Sequence, residues 1–139
     1  MILLDTNVVS GVMAPAPPAE VIRWLDAQPP ENLFLPVVAI AEIAFGIAAL
    51  PGGKRQRDLA ARLQAFIDRG FAHRVLDFDV SAAFEYGRLM ADRRRQGRPM
   101  RFADGQIAAI ARVHGAAVAT RNVRDFADLG LLVINPFEG

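Results

Sequence analysis

Three carboxylates in this 139-residue chain stand where an isolated charge is disfavoured. Asp5 ends the apolar run Ile2-Leu3-Leu4. Glu42 interrupts Val38 to Phe45, and Asp104 opens a segment whose next residues include Ile107, Ala108, Ile110 and Ala111. A carboxylate among core-forming residues must find a partner, protonate or bind a cation. Two unit charges about 4 Å apart repel by roughly 4 kcal/mol at an effective dielectric of about 20, so converging acids call for a counter-ion. The donors are oxygens, with no Cys in the chain and no His cluster beside them, which favours Mg²⁺ or Mn²⁺ over zinc. Such an ion keeps several waters and takes further ligands from substrate phosphate, chemistry that fits phosphodiester hydrolysis. Asp104 as a helix cap and Asp5 as a strand-end turn former are the plain structural alternatives. Glu42 is harder to explain that way, because an acid inside an apolar helix gains nothing there unless paired.

The elements around these acids are short. Ile2-Leu3-Leu4, Leu33-Phe34-Leu35, Val75-Leu76, Ala117-Val118-Ala119 and Leu131 to Ile134 read as buried strands. Between them, helices are expected from Pro18 through Leu25, from about Val38 to Leu50, and after the Pro51-Gly52-Gly53 break. The last of these turns Leu59, Leu63, Phe66 and Ile67 inward. Asp79 leads a long helix whose core face is expected at Val80, Ala83, Phe84, Gly87 and Ala91. Phe102 to His114 forms another, stopped by Gly115. Asp125-Phe126 reads as a short helical turn. Strands alternating with helices imply an α/β fold with a parallel sheet, and ligand sites in such sheets lie at the carboxyl ends of strands, where Asp5 and Asn122 fall.

Composition narrows the class. Apolar residues make up 53% and charged ones 22%, as in a globular domain, and net charge is +1. The absence of cysteine removes disulfides and thiolate chemistry and agrees with a cytoplasmic location; an acid at position 5 does not suit a signal peptide. Leu33 to Leu50 is apolar enough to raise a membrane span, but Glu42, Pro36 and Gly46 argue for a strand running into a buried helix. Basic residues gather before Asp104, as Arg93, Arg94, Arg95, Arg98 and Arg101. With Arg121 and Arg124 they are candidates to track a phosphodiester backbone, against the plainer reading of solvated cations at a helix end.

Four pieces in order carry a resemblance along essentially the whole chain. They are Leu3-Leu4-Asp5-Thr6-Asn7, Ala41-Glu42-Ile43 with Gly46, Ala103-Asp104-Gly105-Gln106-Ile107-Ala108-Ala109, and Ala119-Thr120-Arg121-Asn122 with Asp125-Phe126. Together they resemble a PIN domain, specifically VapC-type toxins of the FitB kind. The resemblance implies a single PIN-like domain over residues 1–139, a three-layer α/β sandwich with a short parallel sheet flanked by helices. It implies an Mg²⁺- or Mn²⁺-dependent endoribonuclease, the toxin of a type II toxin–antitoxin pair. It also implies a homodimer and a VapB/FitA-like antitoxin, often a ribbon-helix-helix protein, through which alone DNA is met. Asp5, Glu42 and Asp104 carry over as the acidic triad. Asp5 and Asp104 hold the ion, and Glu42 orients a water or binds a second ion through water. Thr6, Asn7 and Thr120 hydrogen-bond the acids. The fourth catalytic position falls at Asn122 or Asp125: some relatives have Asp where this chain has Asn122, which bears on the number of ions. Gly105 stands where Ala is commoner.

Other features are discounted. His73 and His114 read as structural, and Trp24, Phe66 and Phe84 as core. Ser10 and Ser81 lack a nucleophile elbow, and no phosphate-binding glycine fingerprint is present. Two rivals stay open: a phosphatase using Asp5 as nucleophile, disfavoured by Asn7 where a second Asp is wanted, and a PIN-like interaction module without turnover.

Overall fold

Each apolar run read as a strand enters one parallel sheet in the computed structural model, which describes residues 1–138. Strand β1 (Ile2–Leu4) is central. The strands β2 (Leu33–Pro36), β3 (Val75–Leu76), β4 (Ala117–Ala119) and β5 (Val133–Ile134) complete the order β3-β2-β1-β4-β5. Ile2 is level with Leu33 on one side and Ala117 on the other. The last strand is shorter than the run Leu131 to Ile134.

Alternation along these strands makes two cores. Leu3 and Val118 face one side with Ile107, Ile110, Leu89 and Phe126, and Leu4, Leu35 and Ala119 face the other with Val8, Val9, Val21 and Leu63. Helices α5 (Val80–Arg95) and α6 (Phe102–His114) cover the first face. Helices α1 (Thr6–Met13), α2 (Ala19–Asp26) and α4 (Lys54–Gly70) cover the second, and α3 (Val37–Ala48) contributes to both. The result is a three-layer sandwich. Asp79 caps α5 by accepting from the Ala82 N–H at 2.9 Å, and Gly115 ends α6 in the left-handed region at φ 63°. No described helix is long and apolar enough to cross a membrane.

Helix α1 was not legible from the chain: Thr6-Asn7-Val8-Val9-Ser10-Gly11 has weak helix propensity. It forms because Val8, Val9 and Met13 are buried and the Asp5 carboxylate accepts the Thr6 N–H at 2.8 Å. The expected face of α5 was also wrong. Ala82, Leu89 and Arg93 are its buried residues, whereas Val80 and Phe84 are 72% and 68% exposed, so Phe84 is not core. Similarly, α3 is not buried throughout; Ala44, Phe45, Gly46 and Ala48 are exposed. Trp24 and Phe66 do pack against the second core.

The Arg93–Arg95 block divides in the same way. Arg93 is buried, not solvated or free to meet RNA. Its guanidinium donates to the carbonyls of Arg98 (2.8 Å), Ala127 (3.1 Å) and Asp125 (3.4 Å). These bonds lock α5 to the 3₁₀ turn Val123–Phe126 that follows β4.

Helices α5 and α6 approach closely at Gly105, immediately after Asp104. A Cβ there would meet Met90 Sδ at 2.5 Å and the Tyr86 ring at 3.0 Å, which accounts for glycine at this position. Gly105→Ala is expected to cost about 1–2 kcal/mol in urea unfolding, the usual range for overpacking. Met90→Ala opens the space, so the double variant should lose less stability than the two single losses summed; strict additivity would refute the clash.

Candidate active site

The sheet order turns back on itself between β1 and β4, the junction where parallel sheets open a crevice at their carboxyl ends. Asp5 follows β1 and Thr120 follows β4, and the Asp5 N–H donates to the Ala119 carbonyl at 2.9 Å, fixing them side by side. Glu42 enters from α3, which leaves β2 on the other side of β1. Asp104 enters from the first turn of α6, which leads into β4. All meet in one open cleft of about 440 Å³, lined by Asp5, Thr6, Asn7, Ser10, Gly11, Glu42, Arg101, Asp104, Arg121 and Asn122.

Asp5 is the most firmly held of the acids. Its Oδ1 accepts from the Thr6 N–H, and its Oδ2 accepts from the Thr120 hydroxyl at 2.7 Å and the Asn7 amide at 3.1 Å. Thr120 has no exposed surface, and its hydroxyl oxygen accepts the Asn122 N–H at 2.9 Å. Asn7 Oδ1 accepts the Arg121 N–H at 3.1 Å, tying α1 to the β4 loop. Glu42 lies at the rim, with its side chain 30% exposed, rather than in the core. Its Oε1 accepts from the Thr6 hydroxyl at 2.6 Å, and its Oε2 accepts from Arg101 Nη2 at 3.3 Å.

Asp5 and Asp104 are only 3% and 4% exposed. Burial raises the Asp5 carboxyl above its ordinary range, opposed by the Thr120 and Thr6 hydrogen bonds and reinforced by the charge of Glu42. Burial first, and then the charge of Asp5, lifts Asp104 to about 6; Asp125 and Glu42 add to this and Arg101 opposes it. Two buried acids in one cleft, each raised and one of them by the other's charge, offer only oxygen donors, the set that suits a hard divalent ion. No three acidic or imidazole groups among the described residues form a ready ligand shell. Glu42 is turned to Thr6 and Arg101. Asp5 and Asp104 are the buried acids of the cleft that could hold an ion, and Glu42 shares the same lining.

The remaining candidates separate. Asn122 lines the cleft, whereas Asp125 is exposed on the next turn and acts on Asp104 through its charge. Arg101 and Arg121 line the cleft, the latter with its guanidinium 3.9 Å from the centre of the Phe137 ring. Arg98 instead reaches Asp128 at 2.9 Å, and Arg124 is exposed outside the lining. Ser10 and Gly11 line the cleft without having been singled out for it; their signal was a place one turn beyond Thr6 and Asn7, invisible while α1 went unread.

The PIN domain family model matches residues 2–131. The chain is 44% identical over 138 residues to VapC ribonuclease Y4jK of Sinorhizobium fredii, covering 99% of both proteins. It is 39% identical to Toxin FitB of Neisseria gonorrhoeae, again over 99% of each. The crystal structure of FitAcB from Neisseria gonorrhoeae superposes with a TM-score of 0.92 at 38% identity, with 100% of both chains covered.

The raised acids set a pH dependence of stability. A carboxyl whose folded value is about 6, against an ordinary 3.8, binds protons more tightly folded than unfolded, so protonation favours the fold. Stability from this group therefore rises as pH falls from above 6 toward 4. In EDTA, unfolding free energy should be greater at pH 5 than at pH 7.5 by up to about 1 kcal/mol, after allowance for screening in an open cleft. Asp104→Asn should be the more stable protein at pH 7.5 and show a flatter profile. A wild type that loses stability from pH 7.5 to 5 in parallel with the variant contradicts the assignment.

Proposed function

The chain belongs to the PIN-domain family, and from that premise we propose that it is an Mg²⁺- or Mn²⁺-dependent endoribonuclease acting as the toxin of a type II toxin–antitoxin pair. The observation that carries this reading is the meeting of Asp5 and Asp104, both almost fully buried and both raised, at the junction of β1 and β4. Relatives named a VapC ribonuclease and a FitB toxin along the full length of the chain support it.

A bound divalent ion would supply Lewis-acid polarisation of a phosphoryl oxygen and a more acidic water. Asp5 and Asp104 would hold it, with Thr120, Asn7 and the Thr6 N–H fixing the Asp5 oxygens so that one geometry is presented. Glu42, which accepts from the Thr6 hydroxyl at the open rim, would orient a water toward the scissile phosphate or bind a second ion through water. Arg101 and Arg121 line the approach and would pair with backbone phosphates, and Asn122 offers an amide at the fourth corner. Arg98 and Arg124, off the cleft, are left with peripheral contacts to RNA.

Partners follow from the same premise. A VapB/FitA-like antitoxin would close the cleft, and DNA would be met only through it. Homodimer formation is supported by the exposed apolar residues Val80 and Phe84 of α5 and Phe102 of α6, surface that a lone soluble domain seldom leaves uncovered.

Purified chain free of any partner should cleave RNA with Mg²⁺ or Mn²⁺ and stop in EDTA. Asp5→Asn and Asp104→Asn should each lower the rate by about a hundredfold or more, and Thr120→Val by about ten- to a hundredfold, as expected for a group that orients a ligand. Gel-resolved cleavage that persists in both Asn variants would mean that the activity comes from elsewhere.

A further inference from the structure

Arg101 occupies an unusual place in the cleft. It is the residue just before α6, with backbone φ −61° and ψ 150°, and its side chain is 68% exposed, yet it reaches across to α3 to donate to Glu42. Glu42 spends both oxygens in this arrangement, Oε1 on the Thr6 hydroxyl and Oε2 on the guanidinium. The cleft's other lining cation differs. Arg121 lies over the Phe137 ring, and its backbone rather than its guanidinium is bonded to Asn7. Arg101 is also the cation whose charge opposes the upward shifts of both Asp5 and Asp104.

We propose that Arg101 is a built-in counter-ion of the cleft: its guanidinium holds Glu42 in the metal-free chain and has to leave that carboxylate before a divalent cation can gain it. The inference rests on the metal-dependent reading above and goes beyond it, because it sets a chain residue and the ion in competition for one acid. The physical basis is that a +1 group on an exposed arm satisfies Glu42 at one oxygen through a 3.3 Å contact, a weak hold that a small doubly charged ion can displace. Without Arg101 the cleft would lose the cation that is bonded to one of its acids.

The test is Mn²⁺ binding to the full chain, followed by titration calorimetry and by the loss of the free-ion paramagnetic resonance signal, alongside melting in EDTA. Arg101→Gln should bind Mn²⁺ about five- to tenfold more tightly than wild type, while melting at a lower temperature in EDTA. Arg121→Gln, which removes the same charge without freeing a carboxylate, should change affinity by no more than about twofold. Arg101→Lys, which keeps the charge but not the fork, should fall between wild type and Arg101→Gln, and it serves if the Gln variant folds poorly. Equal Mn²⁺ affinity in wild type and Arg101→Gln, or equal tightening in both Gln variants, overturns the competition while leaving the metal reading intact. Absence of Mn²⁺ binding in every protein overturns both.

Discussion

The mutual repulsion of acids in a poorly solvated cleft is the constraint around which this molecule is arranged. Asp5 and Asp104 come from opposite ends of the sequence and meet because β1 and β4 are neighbours in the sheet. Both side chains are almost fully buried, at 3% and 4% exposure, so water screens their charges less than it would at the surface. The fold answers in two ways. It donates hydrogen bonds to Asp5 from Thr120, Asn7 and the Thr6 N–H, and it brings the Arg101 cation to Glu42. Asp104, relieved only by the charge of Arg101, is lifted to about 6. The stabilisation of the cores on either side of the sheet is what makes this arrangement affordable.

Much of the framework could be read from the chain because its strands are short, continuous apolar runs bounded by strong punctuation. Asp79, Gly115 and the Pro51-Gly52-Gly53 break announce helix limits by mechanisms local to a few residues. The three acids could be singled out for a related reason: a charge inside an apolar pattern violates the pattern. What failed was information that only tertiary structure holds. Helix α1 is a poor helix by propensity and is made by burial of Val8, Val9 and Met13. Helix α5 carries two apolar faces, one with Ala82 and Leu89 and one with Val80 and Phe84, and periodicity has no means of telling which meets the core of the same chain. The second half of α3 misled in the same way, so Glu42 stands out for the wrong reason. It was read as a core acid, whereas it lies at a rim.

The arginines show the same limit from the other side. A run such as Arg93-Arg94-Arg95 reads as solvated charge, and Arg94 and Arg95 are exposed. Arg93 is not, because its partners are backbone carbonyls of residues 98, 125 and 127, which converge only once the chain has folded. The Arg101–Glu42 contact spans 59 residues and leaves no local trace. Long basic side chains are thus the least legible part of this sequence, since reach allows them roles that spacing does not encode.

Comparing the two kinds of buried charge shows where the chemistry lies. Arg93 is 5% exposed, and three backbone carbonyls satisfy its guanidinium, so its burial is complete as it stands. Its effect is mechanical: it holds the 3₁₀ turn next to Asn122 and thereby one wall of the cleft. Asp104 is as buried, but its neighbours Asp5, Asp125 and Glu42 all push its charge the wrong way, and only Arg101 opposes them. A structural acid is normally relieved by its surroundings, as Asp79 is by the α5 N-terminus. An acid that stays unrelieved between two equally deliberate features, the Asp5 hydrogen-bond lattice and the Gly105 contact that lets α6 approach α5, is held there against its own preference. Stability alone gives no reason to keep such an arrangement, and that is the physical ground of the proposal that a cation occupies the cleft.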